Sequence, residues 1–216
     1  MSFIQIIKLL SSGMAVSIYI FVMTLLFSLP LGLLVAFGRM SKSKILSGAM
    51  KAYISIMRGT PLMLQLMVVY FGPYYIFGIH VTNSYRMVAA LIGFVINYAA
   101  YFAEIYRGGI ESIPKGQYEA CQVLGYKRYQ TFFRIILPQV IKRIVPAMGN
   151  EVITLVKDTA LVSVIGVSEL LMVAKERQGA LFSFAPLFIA GVFYFVMNWF
   201  VSIVFAQLEK KLSYYH

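Results

Sequence analysis

The stretch EACQVLGYKRYQTFFRIILP, residues 119–138, interrupts a chain otherwise built of long apolar runs. It is amphipathic, with Lys127, Arg128 and Arg134 against the single acid Glu119, and it closes on Pro138. Its reading turns on what lies on either side.

The chain has 216 residues, of which 60% are hydrophobic and 12% charged, and its mean hydropathy is +0.80. A soluble domain carries about a quarter charged residues. This much apolar surface exceeds what a water-soluble core hides, so the expectation is an all-α polytopic membrane protein. The formal net charge of +11 would suggest nucleic acid in a soluble protein. Here the bases sit in short loops between apolar runs, which points to membrane orientation and anionic lipid instead. Cys121 is the only cysteine, which excludes an intrachain disulfide or a cysteine metal cluster. The first apolar run is longer than a signal-peptide core of roughly 7–15 residues, so it reads as a retained span.

A helix needs about 20 residues to cross the hydrocarbon core with every backbone polar group paired. Five spans are expected, over about 13–38, 59–78, 87–107, 144–170 and 183–208, within one domain covering 1–216. The fourth is punctuated by Glu151, Lys157, Asp158 and Glu169. Between spans one and two lie Arg39, Lys42, Lys44, Lys51 and Arg58. Between spans three and four lie Arg107, Lys115, Lys127, Arg128, Arg134, Lys142 and Arg143, and the tail adds Lys210 and Lys211. The opposite side holds only Lys8, Arg86, Lys175 and Arg177. Positive charge collects on the cytoplasmic face. The amino terminus is therefore expected outside, with the carboxy terminus and the loop at about 108–143 in the cytoplasm. Pro30 with Gly32 is expected to kink or thin span one. Tyr70, Tyr74, Tyr75, Tyr214 and Tyr215 read as interfacial anchors. His80 and His216 are too isolated to hold a metal, so no metal site is expected.

Within the cytoplasmic loop, Pro114 suits a first helical turn. Residues 117–124 form about two turns, and Gly125 is placed to end them in the left-handed conformation. Residues 127–136 make a second short helix, and Pro138 disfavours helix at Leu137 and resets the chain direction. The local physics leaves two readings open: an amphipathic hairpin lying on lipid, or a docking element for a cytoplasmic partner.

The spacing Glu119-Ala120-Cys121, three residues, Gly125, nine residues, Ile135-Ile136-Leu137-Pro138 resembles the EAA loop of ABC-importer permeases. That pattern is E-A-A, three residues, G, nine residues, I-x-L-P, and Cys121 for the second alanine is its one departure. Arg58-Gly59-Thr60-Pro61, residues 103–110, Gly149-Asn150-Glu151 and residues 157–163 extend the resemblance to the polar amino-acid subfamily (histidine, glutamine and arginine type) over nearly the whole chain. The resemblance implies the fold of an ABC type I importer permease and a coupling helix seated on a cytoplasmic ATPase. Glu119, Ala120, Cys121, Gly125, Leu137 and Pro138 are its coupling residues. In this reading Glu119 pairs with a base on the partner, while Ala120 and Cys121 allow close approach. The alternative for Glu119 is a local pair with Lys115 at i, i+4. The resemblance further implies a second permease copy, identical or a close paralogue, an extracytoplasmic substrate-binding protein and an amino-acid substrate. No phosphate loop of the G-x-x-x-x-G-K-[ST] type occurs in the chain, so ATP and Mg are assigned to the partner ATPase. No catalytic residue is expected, and the location is a bacterial-type inner membrane.

Ionisable groups inside a membrane are functional candidates by default. Asn97, Tyr101 and Glu104 form one helical stripe, and Glu151, Thr154 and Asp158 a second. Two such stripes on neighbouring helices can line a shared aqueous path, with Asn97 and Asp158 near the midplane at about 1.5 Å rise per residue. The excess of acid along them suits a polar, even basic, amino acid carried by alternating access. A stand-alone ion-coupled carrier and a membrane-embedded enzyme are the competing readings. The enzyme fares worst, since no nucleophile, metal set or cofactor motif accompanies the acids.

Overall fold

The computed structural model describes residues 3–212, so the expectations for Tyr214, Tyr215 and His216 lie outside the described residues. Within the described residues the chain is predominantly helical. Its long elements are α1 (Phe3–Arg39), α2 (Lys44–Gly59), α3 (Leu62–Phe77), α4 (Tyr85–Glu111), α7 (Leu137–Asp158) and α9 (Ala185–Leu212). Shorter ones are α5 (Lys115–Val123), α6 (Arg128–Gln130) and α8 (Leu170–Leu181), with a π-helical turn over Thr131–Ile136 and a 3₁₀ turn over Thr159–Ile165.

Among the described residues, α1, α4 and α9 are each long and apolar enough to cross a membrane alone. The pair α2–α3 passes only as one broken unit, bent by 107°. The expected second span, 59–78, therefore covers only the α3 half of this unit, and α2 is not a loop. The expected fourth span is not one helix either: α7 stops at Asp158 and the chain tightens into the 3₁₀ turn.

Packing gives each element a direction. Phe27 and Leu31 of α1 border a groove with Leu91, Ile92, Val95 and Ile96 of α4. Further along, Gly32 lies against Ala99 and Phe102, and Val35 and Ala36 cluster with Ala100 and Ala103. Helices α1 and α4 thus run in the same direction, so α2–α3 must carry the chain back between them. Helix α7 runs antiparallel to α4, with Ile144 against Gly109 at one end and Asp158 beside Tyr98 at the other. The 3₁₀ turn continues this course until the Gly166 carbonyl meets Arg86, near the start of α4.

Lipid tails give little hydrophobic drive for helices to associate, so close van der Waals approach matters more. A Cβ on Gly32 would stand 3.0 Å from the Ala99 carbonyl oxygen, and one on Gly149 would stand 2.9 Å from the Phe205 ring. Gly32 thins α1 as expected, while Pro30 leaves it a single continuous helix. Tyr74 and Tyr75 are exposed, but Tyr70 is buried and stacks on Tyr85, so it is a packing residue and not an interfacial anchor.

The loop between α4 and α7 differs from expectation at its second proline. Gly125 adopts φ +74 after α5, as expected. Pro114 stands one residue ahead of α5. Pro138 neither ends a helix nor redirects it, and Leu137 is helical with φ −56 and ψ −44. A proline inside an α-helix lacks one N–H and collides with the carbonyl four residues earlier. The π turn moves that carbonyl out of the way: the Leu137 N–H donates to Phe132, five residues back. The second short helix therefore runs on into α7. Ile113, Ile136 and Val140 form a small core at the root of this loop.

Candidate functional site

Two interruptions of regular helix meet at adjacent residues of α4. The first is the break at Gly59–Pro61. A helix end leaves unpaired backbone carbonyls, which are costly away from water. The Asn97 amide Nδ2, on a residue only 3% exposed, donates to the Met57 carbonyl at 3.1 Å and to Gln65 Oε1 at 2.9 Å. Gln65 Nε2 in turn donates to Met57 O at 3.0 Å, Thr60 O at 3.1 Å and Thr60 Oγ1 at 2.7 Å. The second interruption is the end of α7. There the Tyr98 hydroxyl donates to the Asp158 carboxylate at 2.8 Å, and Thr159 Oγ1 donates to the Val156 carbonyl at 2.7 Å.

Beside these breaks, toward the C-terminal half of α4, lies a cluster of charges. Arg58, on the last turn of α2, has its guanidinium 5.4 Å from the centre of the Tyr101 ring. It also approaches Glu104 at 4.0 Å. Glu104 accepts two hydrogen bonds from Arg107, whose guanidinium also binds Glu111. Glu151 is half-buried on α7, with no hydrogen bond or ion pair among the described residues. Beyond it a cleft of about 340 Å³ opens between α4 and α7, lined by Glu104, Gly108, Ser112, Arg143 and Ala147 among others. Arg143 donates to the Ser112 hydroxyl at 3.0 Å and to its carbonyl, closing the root of the 113–142 loop.

The two expected stripes are thus divided by role. Tyr101, Glu104 and Glu151 border the charged region. Asn97 is consumed in holding the first break, and Asp158 in holding the second. Thr154 is exposed and its hydroxyl bonds back to Asn150 at 3.0 Å on its own helix. In the loop, Glu119 and Ala120 are exposed and Gly125 makes the turn. Glu119 makes no pair with Lys115. Cys121 is buried within the loop itself, so it does not face outward as an approach surface. Leu137 is half-buried and Pro138 exposed. No group of three or more potential metal ligands occurs among the described residues.

Four site residues escaped the sequence reading: Arg58, Gln65, Tyr98 and Glu169. Gly59-Thr60-Pro61 inside an apolar run was the available signal for a helix break. Glu169 is fully buried. Its carboxylate accepts from the backbone N–H groups of Leu171 at 2.7 Å and Met172 at 2.8 Å, and from the Tyr194 hydroxyl at 2.8 Å. Ser17 adds a longer contact of 3.4 Å from α1. An acid directly before the apolar run 170–174 is a helix N-cap signature that the span reading absorbed.

The family model described as "Binding-protein-dependent transport system inner membrane component" matches residues 28–214. This chain belongs to that family. It is therefore a multi-pass inner membrane permease component and not an enzyme. The arginine transport system permease protein ArtQ of Bacillus subtilis is 36% identical over 208 residues, 96% of this chain and 94% of that protein. A putative glutamine transport system permease protein GlnP of Rickettsia felis is 34% identical over 201 residues, 93% and 91% respectively. The crystal structure of an amino acid ABC transporter with histidines matches with TM-score 0.87 and 33% identity, covering 98% of this chain and 99% of that one. The permease thus has the all-α, polytopic fold of ABC type I importer permeases, and it is a permease of the amino-acid importer kind. Membership places it in a system with a substrate-binding protein and an ATPase.

Proposed function

We propose that the permease carries a polar, preferentially basic, amino acid by alternating access. In this reading α1, α2–α3, α4, α7 with its 3₁₀ extension, and α9 make five crossings within a single domain, with the amino terminus outside and the carboxy terminus in the cytoplasm. The observation that carries it is the placement of Glu151, half-buried and with no hydrogen bond or ion pair among the described residues, on the helix facing Tyr101 and Glu104, where only the more distant Arg58 charge acts on it. A half-buried carboxylate that no hydrogen bond or close ion pair satisfies is costly to keep charged, so a substrate cation arriving there is favoured. The named relatives support the substrate class, since they include arginine and glutamine permeases.

The protruding loop, with Glu119 and Ala120 outward and Gly125 at its turn, serves as the coupling helix on the ATPase, where ATP and Mg bind. A second permease copy completes the path. An extracytoplasmic binding protein delivers the amino acid.

The test is ATP-dependent uptake by the permease reconstituted with its ATPase and binding protein, using arginine, glutamine and cystine. Glu151→Gln is expected to depress arginine uptake by at least tenfold and glutamine uptake less. Equal loss for both substrates would refute a charge-selective role, and uptake driven by a proton gradient without ATP would support the ion-coupled alternative.

A further inference from the structure

The corner between α1 and α2 joins an apolar trough to a cluster of cations that the chain itself does not neutralise. The trough, about 580 Å³, runs between Leu34 and Phe37 of α1 and Leu46 and Met50 of α2, and it ends at Ser41. Leu34 is 67% exposed, so the trough opens to the outside of the helix bundle. Arg39, Lys42 and Lys44 lie within three residues of Ser41 in the chain, at the turn between α1 and α2. Arg39 is engaged by Ser47, its Nη1 donating to the hydroxyl at 2.9 Å. Lys42 and Lys44 are exposed, and neither forms an ion pair among the described residues.

The sequence leaves these bases few acids to pair with. Its first acidic residue is Glu104, so the whole stretch 1–103 carries bases alone. Glu104 is already taken by Arg107 and approached by Arg58. No acid in the stretch 1–103 therefore competes with an external anion for this corner. An apolar trough beside that charge adds a second requirement, because a free anion leaves the trough unused.

We infer that the α1–α2 corner is a binding site for an anionic phospholipid, its acyl chain along Leu34, Phe37, Leu46 and Met50 and its phosphate at Ser41, Lys42 and Lys44. A cytoplasmic-leaflet lipid fits, because anionic headgroups concentrate there and attract bases beside a span. The choice of leaflet rests on the orientation proposed above; the choice of lipid does not.

Native mass spectrometry of the purified full chain, with phosphatidylglycerol or phosphatidylcholine of matched acyl chains, tests the site. Wild type is expected to retain phosphatidylglycerol over phosphatidylcholine. The double variant K42Q/K44Q should lower that retention roughly thirtyfold, about fivefold per charge. Leu34→Trp, which fills the trough and keeps every charge, should also lose the lipid. Thermal unfolding shows whether each variant is folded. Equal retention of the two lipids by wild type, or unchanged retention by K42Q/K44Q, overturns the assignment. Displacement by inorganic phosphate makes it a free-anion site. Loss of dimer by Leu34→Trp with lipid retention intact makes the trough a contact for a second copy. Both results overturn the lipid reading. Labelling of S41C in sealed vesicles decides the leaflet separately, so a wrong orientation is distinguishable from a wrong ligand.

Discussion

Tyr98 donates its hydroxyl to the carboxylate of Asp158 across 2.8 Å, at the point where α7 gives way to a 3₁₀ turn. Its neighbour Asn97 performs the matching task at the break between α2 and α3. One turn of α4 therefore holds two interrupted helices at the same level of the bundle. Interrupted helices near the midplane are where transporters commonly arrange their binding sites. Tyr98→Phe keeps the ring packing and removes only the hydrogen bond. A bond to a charged group contributes about 1.5–3 kcal/mol, so thermal unfolding should shift downward and uptake should fall. An unchanged unfolding temperature would show that this bond does not hold the turn.

Asn97→Leu removes the donor that serves Met57 and Gln65. The expected loss is about 1–3 kcal/mol from unpaired buried groups. Gln65→Leu should cost a similar amount. Because the two amides share the Met57 carbonyl, the double variant should lose less than the sum of the singles. Strict additivity in the measured stabilities would mean that the amides act independently.

Glu169 ties α8 to α1 and α9 through a fully buried carboxylate. Glu169→Ala should destabilise by about 3 kcal/mol, as loss of a charged N-cap with three close donors requires. Glu169→Gln keeps one acceptor and should recover part of the loss. If alanine and glutamine behave alike in thermal unfolding, the backbone N–H contacts are not what the carboxylate contributes.

Gly125 adopts φ +74 at the tip of the α5 hairpin, where a side chain costs roughly 1–2 kcal/mol. Gly125→Ala and Glu119→Ala are expected to leave the bundle folded. Both should lower substrate moved per ATP hydrolysed when assayed with the ATPase. A normal ratio in both variants would remove the coupling role proposed for this loop.

Much of this was legible in the residue pattern. The apolar runs 9–38, 87–103 and 178–208 announce α1, α4 and α9, because lipid admits only backbone that satisfies itself. The left-handed turn at Gly125 followed from glycine's freedom at positive φ. Pro138 misled, since a proline's local preference yields when the helix widens by a π turn to clear its ring. Span four misled for a different reason. Its charges at Lys157 and Asp158 read locally as punctuation of one span, and the partner that stabilises the helix end there, Tyr98, lies sixty residues earlier in the sequence.

The sequence by itself determined that this chain lives in a membrane and which loop resembles a docking element. These are sums over residues: apolar length, charge distribution and motif spacing. Only the tertiary structure decided which polar groups of those helical stripes are already bonded to other helices. Asn97 and Asp158 read as pathway residues along the helix, yet both bond to other helices, whereas Glu151 makes no hydrogen bond or ion pair among the described residues. A helical stripe records which side chains share a face, and the elements that cross it decide which of those side chains are already bonded.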